Sequence, residues 1–105
     1  MIKNFLVKRG DQLAFTITFT SDTPVSAMEF GVKERYSATD YTIIKFLGNG
    51  ITKLSDKKYQ IVVPSEDMAK LEIKNYVYDL RTKVGSVVRT PLSGKLMIKE
   101  TVFEV

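Results

Sequence analysis

The stretch Leu13-Ala14-Phe15-Thr16-Ile17-Thr18-Phe19-Thr20 decides the fold class. Its odd positions are all large and apolar, and its even positions are alanine and threonine. Successive side chains of a β-strand point to opposite faces, so this segment reads as a strand with one apolar and one threonine-rich face. The alternation recurs outward along the chain. Met28, Phe30 and Val32 alternate with Glu29, Gly31 and Lys33; Tyr59, Ile61 and Val63 with Lys58 and Gln60; Tyr76, Tyr78 and Leu80 with Asn75 and Asp79. Residues 95–105 form a further β-rich stretch, with Leu96 and Ile98 on one face and Lys95 and Lys99 on the other.

Three weaker segments complete the strand set. Phe5 and Val7 make a short first strand. Residues 41–47 read as a strand whose facing is blurred by Ile43-Ile44 and Phe46-Leu47. Residues 86–89 read as a short edge strand or part of a hairpin. Turn signals separate the runs at Arg9-Gly10-Asp11, Ser21-Asp22-Thr23-Pro24, Gly48-Asn49-Gly50 (read as a hairpin turn), Ser55-Asp56-Lys57 and Pro91-Leu92-Ser93-Gly94. Glycine and asparagine supply positive φ, proline presets φ, and aspartate and serine bond their own backbone. Strands and turns at this spacing argue for a β-sandwich or barrel. Only Pro64–Leu71 lacks alternation. Ser65 is placed to cap a helical turn, Glu66 and Asp67 suit its positive end, and Met68 and Leu71 share one side as a plug for the core.

Composition narrows the chemistry. The chain has 105 residues, 44% hydrophobic and 27% charged, with a formal charge of +4 and neither cysteine nor histidine. These are the proportions of one ordinary globular domain, residues 1–105, with no internal repeat, low-complexity tract or linker. Disulfides, thiolate zinc sites, thiol nucleophiles and histidine bases are excluded. Phe5-Leu6-Val7, followed by Lys8-Arg9, is far short of a secretory apolar region, and no apolar run is long enough to cross a membrane.

An acidic turn ahead of an aromatic-rich strand suits an immunoglobulin-like sandwich, in which a corner tyrosine bonds backbone a few residues upstream. Tyr76 is the candidate for that corner; the alternative is that Tyr76 and Tyr78 are simply large core faces. The cysteine and tryptophan pair of antibody domains is absent. The expected fold is therefore all-β: an antiparallel immunoglobulin-like β-sandwich of about seven strands with one helical turn near 64–71. Its expected core is Leu13, Phe15, Ile17, Met28, Phe30, Val32, Ile61, Tyr76, Tyr78, Leu80, Leu96 and Ile98.

Four pieces occur in order: Arg9-Gly10-Asp11 leading into Leu13–Thr18, Met28–Lys33, Tyr76-Val77-Tyr78-Asp79-Leu80-Arg81, and Thr90-Pro91-Leu92-Ser93-Gly94-Lys95-Leu96-Met97-Ile98. Over about residues 8–101 the chain resembles the small immunoglobulin-like module at the start of upper-baseplate tail proteins of bacteriophages and prophages. The resemblance implies a non-enzymatic building block with no catalytic residues, cofactor, metal or small-molecule substrate. Its partners would be tail or baseplate components or further copies of itself. Its place would be the bacterial host cytoplasm during assembly, and the virion. The candidate interaction surfaces are the strand and hairpin around Arg81, Lys83 and Arg89, and the outer face of Thr16, Thr18 and Thr20. Sheet edges that accept another chain's strand are the expected means. A solvated polar face is the alternative for the threonines.

Other chemistries fit poorly. Ser93 with Lys95 and Ser55 with Lys57 are serine–lysine pairs in turns, where polar residues are expected anyway. Glu66 and Asp67 are adjacent and diverge, unlike the facing carboxylates of a glycosidase. Gly48-Asn49-Gly50 lacks the lysine and the strand–loop–helix setting of a phosphate cradle. Arg9-Gly10-Asp11 spells an adhesive tripeptide, but it also reads as a strand end and a turn. The alternative function is a small basic nucleic-acid-binding β-domain using Lys57-Lys58-Tyr59 with Arg81, Lys83 and Arg89. Against it, the aromatics fall on the apolar parity of their strands.

Overall fold

A computed structural model describes residues 1–20 and 24–103. The expected turn at Ser21-Asp22-Thr23 and the last two residues, Glu104 and Val105, lie outside the described residues. The chain is all-β with one short helix. Its elements are β1 (Phe5–Lys8), β2 (Leu13–Thr18), β3 (Ala27–Lys33), β4 (Ile43–Leu47), β5 (Gly50–Lys53), β6 (Lys58–Val63), α1 (Ser65–Met68), β7 (Asn75–Val84) and β8 (Val87–Lys99).

The described strands form one eight-stranded mixed sheet in the order β1-β8-β7-β3-β4-β5-β6-β2. It rolls until its edge strands meet: the rings of Phe5 on β1 and Phe15 on β2 lie 4.9 Å apart. Phe15 also meets Phe30 of β3 at 5.7 Å, across the interior. The sheet is thereby nearly closed into a barrel, with these aromatic rings in its interior. The core is Leu13, Met28, Phe30, Val32, Tyr59, Ile61, Val63, Tyr76, Tyr78, Leu80, Leu96 and Ile98, with Ile43, Ile51 and Leu92. Met68 and Leu71, the plug expected from the sequence, are fully buried.

Several details differ from the sequence expectation. The described residues form eight strands rather than about seven, and two pairings are parallel: β1 with β8, and β4 with β5. Gly48-Asn49-Gly50 is not an antiparallel hairpin. The Phe46 and Asn49 backbones bond each other both ways at 2.9 and 2.8 Å, and Gly48 N–H donates to the Ile51 carbonyl at 2.8 Å. This loop sets β4 and β5 side by side in one direction, and β5 then pairs antiparallel with β6. Pro91-Leu92-Ser93-Gly94 is not a turn but the middle of β8, and that strand ends at Lys99 rather than running to 105. Ser65 is the first helical residue rather than the cap; Pro64 holds that position without a side-chain bond, its carbonyl accepting from Asp67 and Met68 at 3.0 Å each. Phe15 and Ile17 are half-buried rather than buried, because β2 is an edge strand.

Three core tyrosines bury their rings and spend their hydroxyls on backbone, as buried tyrosines generally must. Tyr59 accepts from Val25 N–H at 3.2 Å and Tyr76 from Glu72 N–H, four residues upstream, at 3.0 Å. Tyr78 donates to the Lys3 carbonyl. Each ties a connecting segment to the core.

Candidate functional site

The β7–β8 hairpin carries half of the expected interaction residues, Arg81, Lys83 and Arg89. Within β7, Tyr76, Tyr78, Leu80 and Thr82 face inward, while Val77, Asp79, Arg81 and Lys83 face out. The hairpin closes through Gly85-Ser86, with Val84 opposite Val87. Gly85 has φ 60° and no described non-glycine residue has positive φ. Glycine alone at the first central position is the signature of a type II′ turn, whose twist matches that of the strands.

Nearer the core, the register shifts. Leu80 stands opposite Leu92, but Thr82 stands opposite Arg89, so Thr90 and Pro91 together oppose Arg81. This is a β-bulge, and a proline fits there because the bulge relieves it of a ladder N–H. A bulge also reverses the parity of the strand beyond it. Arg89 and Val87 therefore share the face of Thr82 and Val84, opposite to Arg81 and Lys83. The three cations expected to form one patch are divided between two faces. Arg81 is also paired, its guanidinium 2.9 Å from the Glu29 carboxylate. The Lys83 carbonyl accepts from Ser26 N–H and Oγ at 2.7 and 2.9 Å, which anchors the hairpin two residues before Gly85.

On the Arg89 side, the hairpin leans over the start of the β2–β3 connection and leaves an open cleft of about 540 Å³. Phe19, Val25, Val84, Val87 and Pro91 line it, with Arg89 at its side. Its far wall is held firmly: Phe19 packs edge-on against Tyr59 at 5.8 Å and its N–H donates to the Lys57 carbonyl at 2.8 Å. Val25 is fixed by the Tyr59 hydroxyl. Val87 is 51% exposed, and Val84 is exposed beside it. Sequence reasoning missed this cleft. The available signal was Val84-Gly85-Ser86-Val87-Val88, a glycine turn flanked by valines with no polar alternation.

Thr16, Thr18 and Thr20 are exposed, but they lie on and just after β2, an edge strand of the sheet. Thr16 and Thr18 stand opposite Gln60 and Lys58 of β6, making a polar face separate from the hairpin. A smaller concavity of about 240 Å³ lies on the outer face of β3 and β7, between Tyr36, Tyr41 and the Arg81–Glu29 pair. Lys33 Nζ sits 4.8 Å above the Tyr41 ring there.

The remaining sequence candidates are taken up in structure. The Arg9 guanidinium donates to the Leu71 and Ala69 carbonyls at 3.0 and 3.2 Å, closing the segment after α1. Tyr59 is buried with its hydroxyl engaged. Asp67 pairs with Lys45 at 2.8 Å; that bonded ammonium holds its carboxyl below the usual range, opposed by burial. Ser93 N–H donates to the Met1 carbonyl and its own carbonyl accepts from Lys3 N–H, so this residue holds the N-terminal segment. Burial pushes the Tyr78 phenol up to about 12. Among the described residues, no group of three or more acidic side chains is placed to hold a metal, and no helix is long and apolar enough to cross a membrane. No protein-family model matches the chain, and no curated protein is similar to it.

Proposed function

We propose that this chain is a non-enzymatic assembly module that acts through protein–protein contacts, with the β7–β8 hairpin and its cleft as the contact surface. The observation that carries the reading is the exposed apolar lining of that cleft, with Val84 and Val87 open to solvent on a projecting hairpin. Contiguous exposed apolar surface next to a fixed wall is characteristic of a site that another protein covers. The resemblance to upper-baseplate modules makes tail or baseplate components, or further copies of the chain, the partners of this proposal. The test is sedimentation of the purified protein at rising concentration, together with capture of the products of neighbouring reading frames. Concentration-dependent association or capture of a tail component supports the reading. A protein that stays monomeric and captures none of these products overturns it.

A further inference from the structure

The hairpin cleft is apolar and basic, and the same chain carries a segment of the opposite character. From Leu80 to Lys99 the sequence has Arg81, Lys83, Arg89, Lys95 and Lys99 and no acidic residue. It then continues Glu100-Thr101-Val102-Phe103-Glu104-Val105, which places two carboxylates among apolar, β-prone side chains. Phe103 is 77% exposed and Val102 is 94% exposed, so neither is covered by its own domain.

The two features sit at opposite ends of one strand. β8 spans 13 residues, a length of about 40 Å at the rise of an extended strand; the molecule's longest extent is 44 Å. Residues 100–103 reach about 14 Å when fully extended. Phe103 therefore does not reach the cleft beside Val87 of its own chain.

We infer that the cleft of one copy receives the segment after β8 of a second copy, with Phe103 as the apolar anchor and the flanking glutamate Glu100 facing Arg89. The inference rests on the assembly reading above and names its partner. Charge complementarity selects the occupant: an acidic, apolar segment meeting an apolar cleft with a cation at its side. The contact joins one end of a copy to the other end of the next. Repeated, it builds open chains or closed rings; reciprocated between two antiparallel copies, it closes a dimer. The area is small, which places the contact among weak interfaces that become populated as concentration rises.

Two exposed-residue variants test it. Val87→Asp spoils the cleft and Phe103→Asp spoils the segment, and circular dichroism with thermal melting establishes that each is folded. In sedimentation velocity, the parent's average mass is expected to rise with concentration while each variant alone stays monomeric. Mixed in equal amounts, the variants are expected to form a one-to-one pair and nothing larger, because one retains the segment and the other the cleft. A mixture that remains monomeric overturns the inference. So do variants that associate as the parent does, which leaves assembly standing but through another face. A parent that stays monomeric also overturns it, and the assembly reading then rests on capture of neighbouring gene products alone. A synthetic peptide of residues 99–105, titrated into the parent and into Val87→Asp, gives the same comparison without mixing: loss of binding in the variant supports the inference, and equal binding or none overturns it.

Discussion

Val84 and Val87 stand opposite each other across the Gly85-Ser86 turn, and both are open to solvent on the face they share with Arg89. Cross-strand valines stabilise a hairpin, but here their outer surface meets the cleft rather than the core. Their role in folding and their role in contact are therefore separable. Val87→Thr keeps the β-branched shape and is expected to shift monomer stability by no more than about 0.5 kcal/mol, the range of ordinary surface changes. Urea unfolding of the monomer checks this.

Tyr76 accepts from Glu72 N–H at 3.0 Å while its ring is buried. Tyr76→Phe preserves the ring and removes the acceptor. The expected loss is about 1 kcal/mol, that of one hydrogen bond between neutral groups. The Glu72 amide should also exchange with solvent faster than in the parent, while amides in β3 keep their relative protection. Unchanged stability and exchange would show that the tyrosine acts only as a core face.

Tyr78 gives the chain an alkaline limit. Burial raises its phenol to about 12, against about 10 in an unfolded chain. A raised value means that the folded state favours the neutral form. Its contribution is fully present below pH 10 and is lost as pH rises through about 12. Ultraviolet titration of phenolate should show a step near pH 12, close to alkaline unfolding. Tyr78→Phe should abolish that step.

Gly94 lies where the N-terminal segment crosses β8. A Cβ at this position would run into the Lys3 carbonyl oxygen, the same oxygen that accepts from the Tyr78 hydroxyl. Gly94→Ala is expected to displace residues 1–4 and to destabilise by about 1–3 kcal/mol, as overpacking does. Thermal melting measures the loss. Faster proteolytic removal of the first residues, with the rest of the domain intact, identifies its place.

The legible part of this fold was the part governed by period two. Met28, Phe30 and Val32, and Tyr76, Tyr78 and Leu80, alternate because β3 and β7 are central strands with one face on the core. Phe15 and Ile17 carry the same signal but are only half-buried, since alternation states which face is apolar and not how far a strand lies from the sheet edge. The parallel pairing of β1 with β8 joins residues some ninety positions apart, and no local pattern encodes it. The bulge at Thr90-Pro91 mattered most for the candidate site. Pro91 and Gly94 read as turn residues because both disrupt regular backbone. In the fold, one fills a bulge and the other admits the Lys3 backbone. That single extra residue sends Arg89 away from Arg81 and Lys83, and it turns an expected cationic patch into an apolar cleft with one cation beside it.

The central claim is that the hairpin cleft is a contact surface. Sedimentation velocity of the parent and of Val87→Asp, over the same rising concentrations, tests it most directly. The account predicts that the parent's average mass increases with concentration and that of Val87→Asp does not. A Val87→Asp protein that associates as the parent does would contradict it.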